Sequence, residues 1–544
     1  MRSLPLPLMS ILFASPAFAQ GPVPVVEEGD AVVGVGVVTR IDNLAINNSG
    51  TTLVEVDTDN GDTDADSALL RNGALELREG QGLVLPLGAS LSSFDSVNLN
   101  ANGDSAWNFF LDGTTSIFDD SGLYFNAGLR IQEGDPSTAP EFSASTPYIG
   151  FFDVKLNDFN QLLVVASFDD PVIATSVDRG LMRIDLDGSG AVISENAFLK
   201  EEDPAPGAGG ATITDFGTGP HESAINNSGD ILFAVDLTGG SSSQGIYLNS
   251  SPLALQGMAS PVAGRSWTVL SSSEMDLNNA GDHVFSGTLD GPAGTNLLIV
   301  KNGTKFRQQG DTLPAIGGGF VLANFGTGPL WINDEGEVLW FGDWDDPNTD
   351  VDSGLFIDDE LIVQEGVTTI GGVVIDTLAG TQDGYAMSRN GRFVLFEATL
   401  EDGTNGAYLI ERRLGTNYCV GAVNSTGNGV QLSGEGSSLL ANQNVVLRAE
   451  GLPPGVPGIF FFGPNQVQVS FGDGFRCVGG ATRRIQPVAT AGGSGVTMRA
   501  LNFTAPYAAF LAPGSSNFQL WYRDPSGPGG TGFNLSDGLE IVFE

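Results

Sequence analysis

The chain has 544 residues and a formal net charge of −42, which comes from 65 acidic and 23 basic side chains. A surface this acidic repels nucleic acid and anionic lipid, so nucleic-acid binding is excluded and cations are favoured. Glycine is abundant at 75 residues and only 16% of the chain is charged, which favours many short strands joined by turns over helices or disorder.

The first nineteen residues have the pattern of a secretory signal peptide. Arg2 precedes an apolar run, which ends in Ala17-Phe18-Ala19, an A-x-A cleavage site. No later stretch has the length of uninterrupted apolar sequence that a membrane helix needs, so no membrane insertion is expected. We therefore expect residues 1–19 to be a signal peptide and the mature protein to be exported to the periplasm, the cell surface or the medium.

A motif of apolar-Asn-x-x-Gly followed by an apolar strand occurs seven times. Its glycine position is occupied in turn by Gly50, Gly103, Asn160, Gly229, Gly281, Gly336 and Gly391, at steps of 53, 57, 69, 52, 55 and 55 residues. The leading Asn accepts a backbone hydrogen bond and the Gly supplies a positive φ, which predicts a tight turn between two strands. Asn160 is the next-best residue for that conformation. Ser388 replaces the leading Asn in the last copy.

Each copy continues through a variable loop into two further strands, so a repeat holds about four strands. Seven such repeats predict an all-β, seven-bladed β-propeller over residues 20–414. The last repeat stops without its final strand, whereas the mature chain begins with one, "VPVVEEGD". We expect this N-terminal strand, near Val25 to Glu28, to complete the last blade. An open solenoid is the alternative, but the capping repeats that it needs are not visible.

Beyond Arg413 the motif stops, and alternating strands with Pro-Gly turns predict a separate antiparallel β-sandwich over residues 415–544. This part contains both cysteines of the chain, Cys419 and Cys477. An even pair in an exported protein predicts a disulfide, and two separate buried thiols are the alternative.

The order of short motifs in this region is "NSTG", "LPPG", "FRCVGG", "FQLWYRD" and "NLSDGLEIVF". It resembles a C-terminal domain of large exported proteins of planctomycetes and related bacteria. The Asn-x-x-Gly repeats resemble an uncharacterised repeat family of the same kind of protein. The resemblance implies export and this two-part architecture, and neither family brings a known catalytic residue.

The sequence assigns no catalytic residue. Its two histidines, His221 and His283, flank repeat turns and are interpreted as ordinary strand positions. Motifs for a zinc protease, a nucleophile elbow, a phosphate-binding loop or a redox dithiol are missing from the sequence.

Acidic loops after the turns are the chemically suggestive feature. Calcium takes six to eight oxygen ligands, and alternating Asp residues beside a Gly turn supply such ligands. The candidate calcium ligands are Asp57, Asp59, Asp62, Asp64, Asp185 and Asp187. Solvated hairpin tips are the alternative, because Asp and Gly favour turns by themselves. We expect ligand contacts in these loops rather than in the repeated turns.

The sequence supports two alternative hypotheses about function. The first is a non-enzymatic binding or scaffolding protein, stabilised by calcium as its one expected cofactor, with an envelope or extracellular glycan or protein as partner. The alternative is an extracellular propeller hydrolase or lyase that acts on polysaccharide with carboxylates at the channel mouth. Two inward carboxylates about 5 to 10 Å apart with an arginine beside them favour the enzyme. A channel lined by Gly, Ser and apolar side chains disfavours it.

Overall fold

The computed structural model describes residues 21–173, 178–436, 438, 440 and 443–543. The signal peptide predicted for residues 1–19 lies outside these ranges. Within them every regular element is a strand apart from the 3-10 helix Pro506–Phe510, which confirms the prediction of an all-β fold. No helix in the described part of the chain has the length and apolarity to span a bilayer. Two compact units are separated at Ile410, one being Pro22–Ile410 and the other containing Glu411–Glu544.

The unit Pro22–Ile410 has a propeller-like series of seven antiparallel sheets in its described residues, one for each repeat of the sequence. The chain begins with β1 (Val23–Glu27), which belongs to the seventh sheet. The first sheet contains β2 (Ala31–Val32), β3 (Gly36–Ile46), β4 (Thr52–Thr58), β5 (Ser67–Arg71) and β6 (Ala74–Arg78). The second contains β7 (Ser90–Leu99), β8 (Ser105–Asp112), β9 (Ser121–Phe125) and β10 (Gly128–Gln132). The third contains β11 (Tyr148–Leu156), β12 (Gln161–Phe168), β13 (Asp178–Leu186) and β14 (Val192–Lys200).

The remaining four sheets follow the same plan. The fourth contains β15 (Thr212–Phe216), β16 (Ser223–Ile225), β17 (Ile231–Thr238), β18 (Gln244–Leu248) and β19 (Ser251–Leu255). The fifth contains β20 (Trp267–Val269), β21 (Met275–Leu277), β22 (His283–Leu289), β23 (Leu297–Lys301) and β24 (Thr304–Gln308). The sixth contains β25 (Leu322–Asn324), β26 (Trp331–Ile332), β27 (Val338–Trp344), β28 (Ser353–Ile357) and β29 (Glu360–Gln364). The seventh adds β30 (Thr369–Ile370), β31 (Val373–Leu378), β32 (Tyr385–Met387), β33 (Phe393–Leu400) and β34 (Asn405–Glu411) to β1.

The first strand of the chain pairs with the last strand of the repeats. β1 is antiparallel to β34, with Val23 opposite Leu409 and Glu27 opposite Gly406. Val26 is buried in a cluster that includes side chains of the first and the seventh sheets, such as Val54 and Leu395. The N-terminal strand therefore shares a core with the last repeat, although the two are far apart in sequence.

Strands that follow a turn, such as β4, β12, β17 and β27, are buried on both faces, which explains their nearly continuous apolar sequences. In β12, Leu162 and Val164 pack in a cluster with second-sheet side chains such as Ala106. The alternate residues Leu163 and Val165 pack in a cluster with Phe233 of the fourth sheet. Because successive side chains of a strand point to opposite faces, one strand supplies two interfaces between sheets.

The repeated motif forms the tight turn that its residue types predict. The Asn226 side-chain oxygen accepts hydrogen bonds from the N–H groups of Ser228 and Asp230 at 3.0 and 2.9 Å. Gly229 has a φ of 78°. Asn160, which replaces glycine in the third copy, has a φ of 59°, as expected for the residue that best tolerates this conformation.

In the first five repeats the side-chain amide of the leading asparagine also connects the turn to the next one. Side-chain N–H groups donate to the backbone carbonyl of the following leading asparagine at 2.8 to 3.2 Å, in the pairs Asn47 to Asn100, Asn100 to Asn157, Asn157 to Asn226, Asn226 to Asn278 and Asn278 to Asn333. The Asp334 N–H then donates to the carbonyl of Arg389 at 2.7 Å. The Asn390 N–H donates to the side-chain oxygen of Asn48 at 2.8 Å. The series of hydrogen bonds therefore returns to the first repeat, and we call it the asparagine ring.

The unit that contains Glu411–Glu544 has strands of its own. They are β35 (Thr416–Tyr418), β36 (Gln431–Glu435), β37 (Val446–Glu450), β38 (Pro457–Gly463), β39 (Asn465–Phe471), β40 (Gly474–Gly479), β41 (Arg483–Thr490), β42 (Thr497–Ala500), β43 (Gly514–Arg523), β44 (Phe533–Leu535) and β45 (Gly538–Phe543). A six-stranded sheet is built around β38, β43 and β45, β36 lies with β37 and β42 in a second sheet, and β39 pairs with β40. Leu432 and Leu447 of the second sheet share one buried cluster with Phe460 and Phe518 of the first.

Cys419 and Cys477 form a disulfide with an S–S distance of 2.00 Å, which confirms that prediction and excludes two separate thiols. The bond joins Cys419, which directly follows β35, to Cys477, which lies in β40. The Tyr418 hydroxyl donates a hydrogen bond to the carbonyl of Cys477 at 3.1 Å, beside the disulfide.

We expect the substitution Asn278→Ala to lower the free energy of unfolding by about 1 to 3 kcal/mol, because it leaves buried backbone groups without partners. Asn278 is fully buried, donates to Asn333 at 2.8 Å and accepts from the N–H groups of Ala280 and Asp282. Denaturant unfolding measures the loss. The matched variant Asn348→Ala, at an exposed loop position, should change the midpoint little, and equal effects of the two would contradict a structural role for the ring.

We expect the double substitution Cys419→Ser and Cys477→Ser to destabilise the unit that contains both residues by about 4 kcal/mol, since the bond closes a long loop of the unfolded chain. The sequence separation is 58 residues. Differential scanning calorimetry of the full chain measures the effect. One transition should move down while the transition of Pro22–Ile410 stays in place, and parallel shifts of both transitions would count against the prediction.

Candidate functional site

A group of converging polar side chains lies in a pocket of the unit Pro22–Ile410 that all seven repeats line. The asparagine ring brings the repeat turns together, and the turn residues Asn48, Asp158, Asn227 and Asn279 form part of the pocket wall. The expectation that ligand contacts lie in the loops after the turns stays a prediction. The turns themselves, with the segments that lead into them, carry the pocket.

Asp153 and Lys155 stand on β11, two residues apart, and therefore point to the same side of the strand. The Lys155 ammonium lies 2.7 Å from a carboxylate oxygen of Asp153, whose side chain is only 1% exposed. Lys155 also donates to the carbonyl of Pro220. Burial raises the pKa of Asp153 to about 7, although the Lys155 charge opposes this shift. At neutral pH the Asp153 carboxyl group is therefore populated in both protonation states.

His221 and Asp383 come from the fourth and seventh repeats and meet at the pocket. Nε2 of His221 lies 3.8 Å from a carboxylate oxygen of Asp383. The imidazole packs edge-on against Trp331, with ring centroids 5.4 Å apart. Burial lowers the pKa of His221, the nearby Lys155 charge lowers it further, and Asp383 opposes both effects. The result is a neutral imidazole at neutral pH, with one nitrogen available as a proton acceptor.

Arg389 is held rigidly at the pocket wall. Its guanidinium donates to both carboxylate oxygens of Asp276, at 2.6 and 2.9 Å. Asp276 also accepts the N–H of Ile332 at 2.8 Å, and Arg389 lies 5.9 Å from the centre of the Trp331 ring. A paired, bidentate arginine has a fixed orientation, which makes it a positioned hydrogen-bond donor for a ligand.

Two buried glutamates lie near these groups. Burial raises the pKa of Glu55 to about 8, although the hydrogen bond from Asn43 at 2.6 Å opposes the shift. Burial likewise raises the pKa of Glu274 to about 8. The charge of Asp383 adds to both shifts. Both glutamates are therefore mostly protonated at neutral pH, so they add little negative charge to the surroundings of the pocket.

The six carboxylates predicted as calcium ligands are each used by nearby protein groups or lie at loop tips. Asp57 and Asp59 accept hydrogen bonds from the Ser67 hydroxyl and the Val37 N–H, both at 2.7 Å. Asp185 accepts one from the Ser194 hydroxyl at 2.7 Å, and Asp187 accepts one from the Ser189 N–H at 2.8 Å. Asp62 accepts the N–H of Asp64 at 3.4 Å. Among the described residues no three His, Cys, Asp or Glu side chains are grouped so that they could hold a metal ion. Calcium binding in these loops stays a prediction.

Sequence reasoning missed the pocket residues, although a signal for them exists. His221 was interpreted as a strand position but lies in a turn before β16 and lines the pocket, whereas His283 is in β22 as expected. An acidic residue or histidine recurs four or five positions before the leading Asn or Ser of the motif. The residues at this place are Asp42, Asp95, Asp153, His221, Glu274 and Asp383. Their recurrence marks the segments that enter the pocket.

Comparison with known sequences gives a family without an assigned activity. A family of unknown function (DUF7453) matches residues 19–260. No curated protein matches the chain.

Several solved structures resemble the fold at low identity. Polysaccharide lyase Uly1 matches at 8% identity with a TM-score of 0.36, covering 73% of this chain and 94% of the lyase. A sialidase from Trypanosoma rangeli matches at 9% identity and a TM-score of 0.26, covering 96% and 91%. The extracellular domain of a hybrid two component system from B. thetaiotaomicron matches at 10% identity and a TM-score of 0.28, covering 96% of this chain. The match spans 57% of the length of that domain.

The prediction of a non-enzymatic binding or scaffolding protein is corrected here. The pocket lining includes two carboxyl residues, Asp153 and Asp383, together with Arg389, and residues of these types favour the enzyme alternative. The pocket is not lined by Gly, Ser and apolar side chains alone, which is the lining that favours a protein without enzymatic activity. With TM-scores of 0.36 or less, the similarity by itself assigns no activity, so the correction depends on the side chains of the pocket.

We expect Glu55→Gln to reduce the loss of stability between pH 5 and pH 8. The folded-state pKa of Glu55 is about 8 against an ordinary value of 4.5, so the folded state holds a proton that the unfolded state releases across this window. Stability from this group is therefore fully present at low pH and falls as the pH rises towards 8. Denaturant unfolding at both pH values measures it. The exposed Glu401→Gln is the control, and an unchanged pH dependence in Glu55→Gln would contradict the prediction.

Proposed function

We propose that the unit Pro22–Ile410 is an enzyme that hydrolyses glycosidic bonds, with its active site in the polar pocket. The observation that carries the proposal is the convergence of Asp153, His221 and Asp383, from three different repeats, on one pocket beside Arg389. Perturbed titratable groups that converge in a concave site are the usual mark of acid–base catalysis.

Glycoside hydrolysis needs one protonated carboxyl group and one carboxylate. Asp153, with a pKa of about 7, is the general acid that protonates the leaving glycosidic oxygen at neutral pH. Asp383 is one-third exposed and supplies the carboxylate, either as the base that activates water or as the nucleophile at the anomeric carbon. Lys155, 2.7 Å from Asp153, stabilises the Asp153 carboxylate that forms when the proton leaves.

The remaining pocket residues suit a sugar ligand. The neutral imidazole of His221 and the guanidinium of Arg389 are positioned to hydrogen-bond sugar hydroxyl groups, and Trp331 lies between them. The net charge of −42 opposes the approach of an anionic polymer, so we infer a neutral or cationic extracellular glycan as the substrate.

His221 supports a second candidate, β-elimination of a uronic-acid glycan. A neutral imidazole is a competent base for the proton next to a carboxylate, and Lys155 and Arg389 are the cations available to neutralise that carboxylate. The pairing of both cations with Asp153 and Asp276 makes this candidate the weaker one.

We also propose an architecture for the two units and a location for the protein. We infer that the seven sheets are the blades of a closed ring, which the β1–β34 pairing and the asparagine ring support. We infer that the two larger sheets after Glu411 form a β-sandwich, which their shared buried cluster supports. The disulfide and the extracellular domain among the similar structures are consistent with export.

We expect Asp383→Asn and Asp153→Asn each to lower glycan cleavage by about 100-fold or more, since each removes an acid–base group. The assay incubates the purified mature chain with a panel of neutral, cationic and uronic-acid polysaccharides and measures new reducing ends. The control Asp402→Asn, at an exposed turn, should keep full activity. The rate should fall as the pH rises above 7, because Asp153 must be protonated to act as the acid.

The products separate the two candidates. Hydrolysis creates reducing ends without new ultraviolet absorbance, whereas elimination creates a conjugated double bond. Cleavage that survives in both Asp153→Asn and Asp383→Asn, or a chain that cleaves no glycan of the panel, would overturn the assignment of the pocket.

A further inference from the structure

Two aspartates of the unit that contains Glu411–Glu544 approach the same glycine. Asp473 lies in the turn between β39 and β40, and Asp524 directly follows β43. A Cβ atom on Gly527 would lie 2.4 Å from Oδ2 of Asp473 and 2.7 Å from Oδ2 of Asp524. The two carboxylates are therefore close neighbours, and no side chain larger than hydrogen fits between them at residue 527.

Each of these carboxylates has one oxygen with protein partners and one without. Oδ2 of Asp524 accepts the N–H of Ser425 at 3.0 Å, and Oδ1 of Asp473 accepts the N–H and the hydroxyl of Thr531 at 2.9 and 2.6 Å. Oδ1 of Asp524 and Oδ2 of Asp473 are buried without a hydrogen-bond partner in the described structure. The Asp524 residue is only 1% exposed, so water does not satisfy its free oxygen from outside.

Two neighbouring carboxylates with buried, unsatisfied oxygens are unfavourable unless a cation lies between them.

We propose that Asp473 and Asp524 bind a calcium ion. Both are oxygen ligands, which suits a hard cation and not zinc or another thiolate- or imidazole-binding metal. The loop after Asp524, "PSGPGGTG", offers main-chain carbonyl oxygens rather than competing charged side chains, and water completes the six to eight ligands of calcium. The flexible coordination of calcium fits such a loop better than the strict octahedron of magnesium.

The proposed ion has a structural role. Asp473 and Asp524 are hydrogen-bonded to Thr531 and Ser425, so the ion joins the β39–β40 turn to the loops at residues 422–427 and 524–532. This site is separate from the acidic loops of Pro22–Ile410 and does not depend on the proposed glycan cleavage.

The test uses the full mature chain stripped of metal with a chelator. Terbium, which replaces calcium, should luminesce on excitation of Trp521 and Tyr522 next to Asp524, and calcium should displace it saturably. Calcium should also raise the melting temperature of the transition that the disulfide variant identifies. Asp524→Asn and Asp473→Asn should abolish both effects, whereas Asp402→Asn, at an exposed turn of the other unit, should retain them.

A control keeps the test independent of misfolding. Without metal, Asp524→Asn should be at least as stable as the parent chain, because one of two repelling charges is gone and the acceptor for Ser425 remains. A calcium-dependent rise of this melting transition that persists in both variants, that is lost in Asp402→Asn, or that magnesium reproduces at equal concentration would overturn the proposal. A chain without saturable calcium binding would overturn it as well.

Discussion

The unit Pro22–Ile410 depends on the side-chain amides of its repeated asparagines. Each amide oxygen closes the turn of its own repeat, and in the first five repeats the amide N–H donates to the turn of the next repeat, as from Asn226 to Asn278. One residue type thus satisfies a local and a non-local requirement together. Since both partners are buried, replacing the amide leaves several backbone groups unsatisfied, and this explains why the motif recurs along the chain.

The same ring places polar groups where apolar packing would otherwise exclude them. The segments that enter the turns carry Asp153, His221 and Asp383 into one pocket, each from a different repeat. Burial is unfavourable for these charges, and the chain compensates with the Lys155 and Arg389 ion pairs and with protonated carboxyl groups at Glu55 and Glu274. A group that is half-protonated near pH 7 is the physical basis for the acid catalysis proposed there.

Much of the fold could be predicted because its determinants are local. The φ of 59° at Asn160 and the hydrogen bonds at Asn226 follow from turn chemistry within five residues. The disulfide required only the two cysteines and an exported context. His221 was misinterpreted because a lone histidine beside a strand has no local feature that separates a core position from a pocket position. The recurrence of an acidic residue or histidine before six of the seven turns was the missing signal, and it has meaning only once the turns are known to converge.

The sequence by itself determined the strands, the turns, their repetition and the cysteine pair, because each depends on the residue types of a short segment. Only the tertiary structure decided which side chains meet. Asn390 and Asn48 are hydrogen-bonded although 342 positions separate them, and His221 lies beside Asp383 from a distant repeat. Contacts between residues so far apart in sequence depend on the angle between successive sheets. That angle arises from the packing of one sheet face against the next, in which Leu163 of β12 and Phe233 of β17 share a buried cluster. That packing is a property of the assembled chain, and so is the pocket.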